Sequence, residues 1–329
     1  MEAAGETGGG VKKGRIRIGV SACLIGNPVR YDGLDQHDHF VTGVLGRFFE
    51  LVPVCPEQEC GLGVPRDAMR LVGEAERPRL LVICSGADKT EQMLSWCRQK
   101  IPALDQAGIN GFILKSKSPS CGTERVKVFP RHQGGEAERS GTGLFARAIR
   151  DRFPLLPVTD EQKLSDLKLR DAFIEQVFFW ARWQMAHKQA MSAQGLIDFH
   201  STNKLQVLAH SAPHYRTLGR VAAQGKDRPL AERFAEYEAV VMEALAVAAS
   251  PAKHANVMEH ILGYFKHHLT ATEKQRVLAA IEQCRQGHAP LIVPLTLLAH
   301  YSSLHRQNYL ERQHYLNPHP DELMLRYHA

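Results

Sequence analysis

A change of pattern near residue 160 limits the possible folds of this 329-residue chain more than any other feature. From Arg15 to about Thr159, strand-like apolar runs alternate with helix-like stretches. The strand-like runs lie at 16–22, 50–54, 79–84, 111–115, 125–129 and 155–158, and the helix-like stretches near 41–49, 88–104 and 143–152. This alternation is typical of βαβ units, whose strands lie parallel. We therefore expect an α/β domain with a mostly parallel, Rossmann-like sheet.

After Asp160 the pattern becomes helical throughout. Long apolar-periodic stretches occupy 171–190, 202–211, 230–249, 254–269, 271–286 and 294–315. Thr270-x-x-Glu273 matches a capping box, and Gly287 stands where a helix-ending glycine belongs. The sequence thus predicts three parts: a flexible, polar, glycine-rich tail at 1–14, an α/β domain at 15–160 and an all-α domain at 161–329.

Composition narrows the setting in which the chain works. Seven cysteines, an odd number without dense spacing, are unlike a secreted disulfide framework, so we expect a reducing, cytoplasmic environment. No apolar run approaches the roughly 20 residues that a bilayer requires, which argues against a membrane role. The formal charge of +6 permits a polyanionic partner without requiring one.

Three cysteines each follow a strand-like run: Cys23, Cys55 and Cys121. The carboxyl ends of parallel strands share one edge of the sheet, so the three thiols are expected to converge there. Three thiolates suit a metal or iron–sulfur centre with one open position. The simpler interpretation is that each cysteine is a small buried hydrophobe. Cys60 is a competitor for a fourth ligand, and no paired C-x₂-C motif is present.

Polar residues close to these cysteines in the sequence are candidates for general acid–base catalysis. Glu57 is either a surface carboxylate paired with Arg66 or Arg70, or a general base whose pKa a less polar setting would raise. Serines lie in the segment Lys115-Ser-Lys-Ser-Pro-Ser-Cys121. They either form turns or hold a polar substrate or its attacking water.

Gly141-x-Gly143-x-x-Ala146 resembles a dinucleotide fingerprint, but we expect no nicotinamide cofactor. It follows a polar, glycine-rich segment at 131–142 that predicts a loop and not a strand. We interpret it as a helix start whose N-terminus is able to receive a phosphate. In the second half, cationic residues interleaved with Tyr215, Tyr264, Tyr301 and Tyr309 fit either a solvated face or a shallow RNA-binding surface.

Taken together, the cysteine segments resemble the thiouracil desulfidase (TudS-like) family. They are Val20-Ser-Ala-Cys-Leu24 with Val29-Arg-Tyr-Asp-Gly33, Val54-Cys-Pro-Glu57 with Gly61-Leu-Gly-Val-Pro-Arg66, and Lys115-Ser-Lys-Ser-Pro-Ser-Cys-Gly122. The second half is similar to the YbgA-like domain that often follows it. The similar stretches are His260-Ile-Leu-Gly-Tyr-Phe-Lys266, Pro290-Leu-Ile-Val-Pro294 and Tyr315-Leu-Asn-Pro-His-Pro320.

The resemblance implies a [4Fe–4S] cluster held by Cys23, Cys55 and Cys121, with its fourth iron open to the sulfur of the substrate. It also implies a glutamate and a serine beside the cluster. Glu57 fits the first, and Ser116, with Ser118 close behind, is preferred for the second. Cys60 departs from the family pattern, and a fourth thiolate there would close the open iron.

The function that follows is a non-redox desulfidase, in which water replaces the sulfur of a thiolated uracil and hydrosulfide is released. Fusion to a YbgA-like domain implies 4-thiouridine in tRNA as the substrate, with the helical domain binding the tRNA. Two alternatives remain. One is an enzyme for free thiouracil with a purely structural helical domain. The other is a non-enzymatic zinc- or RNA-binding protein.

Overall fold

The computed structural model describes residues 16–131, 135–189, 192–224, 228–320, 323 and 326. The tail predicted at 1–14 lies outside these residues. The strands are β1 (Ile16–Ser21), β2 (Phe49–Val54), β3 (Met69–Val72), β4 (Arg79–Val82), β5 (Ile109–Leu114), β6 (Val126–Phe129), β7 (Glu138–Gly141) and β8 (Val158–Asp160).

Among the described residues, helices dominate the chain from Glu161 onward. The helices are α1 (Gly46–Phe48), α2 (Thr90–Gln106), α3 (Leu144–Arg152), α4 (Glu161–Ser165), α5 (Leu167–Gln189), α6 (Ala193–His210), α7 (Ala212–Ala223), α8 (Leu230–Ala246), α9 (Pro251–Leu262), α10 (Ala271–Arg285), α11 (Ile292–Leu304) and α12 (Asn308–Glu311). The predicted fold class, an α/β part followed by an all-α part, is confirmed.

The first sheet has the strand order β2-β1-β5-β8 and is parallel throughout. Its central strand β5 is buried at every position, as expected for a strand covered on both faces. Three neighbouring strands, β2, β1 and β5, therefore end at one edge. This arrangement places the segments that follow them side by side.

The mostly parallel sheet is confirmed, and the remaining strands form a second sheet of order β4-β3-β6-β7 that the sequence did not predict. It is mixed: β3 pairs parallel with β6, while the β3–β4 and β6–β7 pairs are antiparallel. Strand β7 lies inside the segment that predicted a loop. Its sequence Glu-Arg-Ser-Gly is exposed except at Gly141, so it carries no apolar alternation that would have revealed a strand.

The first sheet is covered on its two faces by different parts of the chain. On one face, Phe112 and Leu114 pack with residues of α2 and α3. On the other, Ile18, Val20 and Ile113 pack with three residues of α5, namely Phe173, Ile174 and Val177. A Cβ at Gly111 would lie 2.8 Å from a Val177 methyl group, so the glycine permits this close approach. The secondary structure thus changes at residue 160, but the apolar core of the first sheet continues into helix α5 beyond this boundary.

The helical half holds two further apolar clusters. One surrounds Trp183, whose ring stacks on Tyr237 at 5.2 Å between centroids. The other joins α9, α10 and α11 around Phe265 and Tyr315. The capping box of Thr270 and Glu273 is confirmed at the start of α10. None of the helices in the described part of the chain has the length and hydropathy that a bilayer crossing demands.

Candidate active site

The three cysteines that follow strands line one cavity of about 350 Å³. Cys23 lies in a 3₁₀ turn directly after β1, and Cys55 is the first residue after β2. Cys121 belongs to the loop that follows β5. Cys23 and Cys121 are buried, and Cys55 is half-buried. The parallel order of the strands therefore brings the predicted trio together at one edge of the sheet.

Burial and the neighbouring thiols both raise the pKa values of the cavity cysteines. Burial raises the pKa of the Cys23 thiol to about 11, and the nearby Cys55 adds to the shift. Burial also raises the pKa of the Cys121 thiol. Cys23 and Cys55 raise this pKa further, whereas the hydrogen bond with Ser21 lowers it. An activated cysteine nucleophile needs a lowered pKa. These shifts therefore argue against an activated cysteine nucleophile.

The loop that carries Cys121 is fixed by hydrogen bonds to the Ser118 hydroxyl and from the Thr123 hydroxyl. The Ser118 hydroxyl accepts from the backbone N–H groups of Ser120 and Cys121, both at 3.1 Å. The buried Thr123 hydroxyl donates to the Asp160 carboxylate at 2.6 Å. Asp160 also caps α4, so the end of β8 anchors the cysteine loop.

Helix α3 begins directly against this loop. The backbone N–H groups of Leu144, Phe145 and Ala146 donate to the carbonyls of Pro119 and Ser120. The expectation that this helix start receives a phosphate is wrong, because loop carbonyls already occupy these donors. The segment before it also contains strand β7 and not only a loop. The N-terminus of α3 holds the Cys121 loop in place.

Gly143 makes this contact possible. A Cβ there would lie 2.5 Å from the Ser120 carbonyl carbon and oxygen and 2.8 Å from the Cys121 nitrogen. We expect Gly143→Ala to lower the free energy of unfolding of the metal-free protein by about 1–3 kcal/mol, the usual cost of overpacking. Urea denaturation measures it. Gly43→Ala, where a Cβ meets nothing within 4 Å, is the matched control, and equal stability of both variants would contradict the proposed contact.

Glu57 lies in the same cavity within a largely buried ion pair. Its Oε2 accepts from Arg66 Nε at 2.9 Å and from a second guanidinium nitrogen of Arg66. Its Oε1 accepts from the Ser120 hydroxyl at 2.9 Å. Arg66 also donates to the carbonyl of Val29. Of the two interpretations of Glu57, the pairing with Arg66 is confirmed, although the pair is largely buried and does not lie on the surface.

Ser116 and Ser118 both line the cavity, as the sequence suggested, but their hydroxyls have different partners. The Ser116 hydroxyl donates to Glu161 at 2.5 Å, and Glu161 also pairs with Lys115. The Ser118 hydroxyl accepts two backbone bonds and has no acceptor for its own proton among the described residues. Ser120, which was not preferred over Ser116 and Ser118, contacts Glu57 directly. Its pairing spans 63 residues, and no local pattern signals it.

Cys60 takes a different position from the three cavity cysteines. Its thiol donates to the Glu57 backbone carbonyl at 3.4 Å, and its side chain packs against the core cluster that contains Cys97. It is not among the residues that line the cavity. Within the described ranges, no three side chains of His, Cys, Asp or Glu are placed to hold a single metal ion.

Two family models match the chain. The model described as 2-thiouracil desulfurase matches residues 18–161, and one described as a protein of unknown function (DUF1722) matches residues 204–320. The uncharacterized protein YbgA of Escherichia coli (strain K12) is 33% identical over 158 residues, which are 48% of this chain and 94% of YbgA. The chain therefore belongs to the family of YbgA, and its residues 18–161 match the 2-thiouracil desulfurase domain.

Two further relatives are similar to part of the chain. The uncharacterized protein YbbK of Bacillus subtilis (strain 168) is 28% identical over 109 residues, which are 32% of this chain and 72% of YbbK. A solved structure of a [4Fe–4S]-dependent thiouracil desulfidase, TudS, is 29% identical in sequence, and its superposition has a TM-score of 0.38. The aligned region covers 47% of this chain and 97% of the TudS chain. The family models leave residues 162–203 between them, and α5 lies in this interval.

Proposed function

We propose that this protein is a desulfidase that replaces the sulfur of a thiolated uracil with oxygen from water and releases hydrosulfide. The observation that carries the proposal is the convergence of Cys23, Cys55 and Cys121 in one cavity that also contains Glu57. The match of residues 18–161 to the 2-thiouracil desulfurase model supports it. The cavity volume of about 350 Å³ lies within the range of roughly 300–1,000 Å³ common for small-ligand pockets.

The donor set fits a [4Fe–4S] cluster. Soft thiolates select iron–sulfur clusters or zinc, and Cys23, Cys55 and Cys121 would hold such a cluster at three of its irons. When bound, the cluster would supply an open iron, a soft Lewis acid that attracts the thiocarbonyl sulfur and polarises its carbon. A fourth thiolate from Cys60 is not part of the proposal, because Cys60 packs into the core beside α2.

The chain itself supplies the proton transfer. Glu57 lies in the cavity, and as a general base it accepts a proton from the water that attacks the ring carbon. Arg66 and Ser120 each bond one of its carboxylate oxygens and fix its orientation. The same Glu57 then returns the proton to the sulfur, which leaves as hydrosulfide, and the second proton of the water passes to solvent as the carbonyl of uracil forms. Two groups thus orient one base, as catalytic geometry requires.

The two serines of the cavity wall position the substrate in this proposal. The Ser118 hydroxyl donates its proton to the ring carbonyl of uracil or to the attacking water. The Ser116 hydroxyl is held by Glu161, so Ser116 shapes the wall through its fixed position. Lys115, which pairs with Glu161, adds a cation to the same wall.

The substrate is proposed to be 4-thiouridine in tRNA. The helical half supports this with an aromatic surface: Tyr264 and Tyr309 stack at 5.3 Å, and the Lys204 ammonium lies 5.1 Å from the Tyr309 ring centroid. Aromatic rings next to cations are typical of surfaces that bind RNA. A base inside folded tRNA must leave its stack to enter the cavity, at a cost of a few kcal/mol.

Turnover by the full-length, anaerobically purified protein tests this function. We expect conversion of 4-thiouracil to uracil and of 4-thiouridine-containing tRNA to its uridine form, with one hydrosulfide released for each base. Higher kcat/KM on the tRNA supports the tRNA assignment, and conversion of the free base alone would restrict the enzyme to thiouracil. A colourless protein that holds zinc and converts neither substrate would contradict the proposal.

A further inference from the structure

A second and larger cavity adjoins the thiol cavity. Its volume is about 760 Å³, and Met69, Ser116, Lys117 and Pro119 line both cavities. Its walls come from strands β3, β6 and β7 of the second sheet, from the loops before β6 and from α4. We call it the basic groove. One ligand can therefore occupy both cavities, with one group in the thiol cavity and the rest of the molecule in the basic groove.

The charges of the basic groove are strongly unequal. It is lined by six cationic residues and two carboxylates: Arg70, Lys117, Arg125, Lys127, Arg139, Lys163, Glu124 and Asp160. Lys163 pairs with Glu124 at 3.0 Å, and Asp160 bonds Thr123 and caps α4. Within the described part of the chain, the other five cations have no carboxylate partner. All five are exposed, so the groove presents uncompensated positive charge.

Two of these cations face each other across neighbouring strands. Lys127 of β6 and Arg139 of β7 are direct cross-strand partners. Like charges opposite each other destabilise an antiparallel pair, so this arrangement costs stability in the free protein. An anion placed over the pair removes the repulsion. The pair therefore indicates an anionic ligand at this position.

The groove also contains an aromatic platform and strained backbone. The Arg70 guanidinium lies 4.8 Å from the centroid of the Phe129 ring, and both residues line the groove. Lys117 and Arg125 have φ of 60° and 53°, and they are two of the four non-glycine residues with positive φ among the described residues. Such conformations cost of order 1 kcal/mol each and cluster at functional sites.

We propose that the basic groove binds the phosphodiester backbone of the RNA whose thiolated base enters the thiol cavity. This inference rests on the proposed function and adds the path of the RNA over the α/β half of the molecule. A small anion would need one or two of these cations, whereas successive phosphates use all five. A concave groove with an arginine–aromatic platform suits a chain of phosphates and stacked bases.

Removing the opposed pair tests the inference. We expect Lys127→Gln with Arg139→Gln to weaken binding of labelled 4-thiouridine-containing tRNA about tenfold and to lower the slope of log Kd against log salt by roughly 1.5. Fluorescence anisotropy over a salt series measures both quantities. Phe129→Leu is expected to weaken binding about fivefold without changing the slope, because it removes stacking and no charge.

The matched control removes two exposed cations from the same half of the molecule outside the groove, as Arg47→Gln with Arg150→Gln. It should bind the tRNA nearly as the wild type does. Equal affinity and slope for the groove variant and the wild type, or equal losses in the groove and control variants, would overturn the inference.

Free 4-thiouracil separates this inference from the proposed function. It has no phosphate, so the groove variant should convert it with unchanged kcat/KM. If the wild type converts neither thiouracil nor 4-thiouridine-containing tRNA, the proposed chemistry fails, and the tRNA-binding measurements still decide the role of the groove. If the wild type converts thiouracil but its tRNA binding is unaffected by salt, the groove inference fails and the chemistry stands.

Discussion

Cys121→Ala is expected to yield protein with less than about a tenth of the wild-type iron and more than 100-fold lower turnover of 4-thiouracil. The same result is expected for Cys23→Ala and Cys55→Ala, because all three thiols line one cavity. Each substitution leaves two of the three proposed ligands, too few to hold a cluster against solvent. Iron and sulfide analysis after anaerobic purification, together with product formation, measures the effect.

Two other cysteines provide the controls. Cys84 is exposed, so Cys84→Ala should keep both iron and activity. Cys60→Ala decides whether a fourth thiolate contributes, and we expect it to retain the cluster because Cys60 packs against the core. Loss of iron in Cys60→Ala, or full iron in Cys121→Ala, would mean that the assigned ligand set is wrong.

Glu57→Gln is expected to retain the cluster while turnover falls about 10²–10⁴-fold, the usual contribution of a general base. Glutamine keeps an oxygen that accepts from Ser120, but it cannot take a proton from water. Its amide also removes the charge that pairs with Arg66. Turnover of 4-thiouracil at saturating substrate, with the iron content of the same preparation, separates catalysis from assembly.

Glu59→Gln is the matched control for Glu57. Glu59 lies two residues further along the chain, accepts from the Cys55 backbone N–H at 2.9 Å and pairs with Lys100. It does not line the thiol cavity. Its substitution should change turnover less than about tenfold, the scale of an exposed ion pair. Wild-type turnover in Glu57→Gln would remove Glu57 from the proposed mechanism.

The sequence predicted the part of the fold that local patterns encode. The apolar runs that became β1, β2 and β5 were recognised, and their parallel order follows from the helices between them. The capping box at Thr270 marked the start of α10 correctly. The placement of Cys23, Cys55 and Cys121 at one edge followed from the same reasoning, since each comes soon after a strand.

What the sequence did not predict depends on pairing between distant segments. The second sheet joins β3 to β6 across more than 50 residues, and β7 is a polar edge strand without apolar periodicity. In the site, Glu161 holds Ser116 from 45 residues away, and Ser120 reaches Glu57 across 63. Such contacts leave no regular residue spacing in the sequence. The basic groove could not be predicted for the same reason, because its walls form only when β3, β6 and β7 pair.

Packing between the halves also changes how the helical domain should be studied. Because α5 covers one face of the first sheet, a truncation at residue 165 would expose Ile18, Val20 and Ile113 to water. Loss of activity in such a fragment would report unfolding of the α/β part. Point substitutions in the full chain are therefore the better means of assigning RNA binding to the helical half.

The iron and sulfide content of the anaerobically purified wild-type protein, measured together with its turnover of 4-thiouracil and of 4-thiouridine-containing tRNA, decides whether it is a cluster-dependent desulfidase. We expect about four irons and four sulfides per chain, as a [4Fe–4S] cluster requires, with uracil and hydrosulfide formed in equal amounts. A single zinc ion per chain, or a full cluster that converts neither 4-thiouracil nor 4-thiouridine-containing tRNA, would contradict the proposed function.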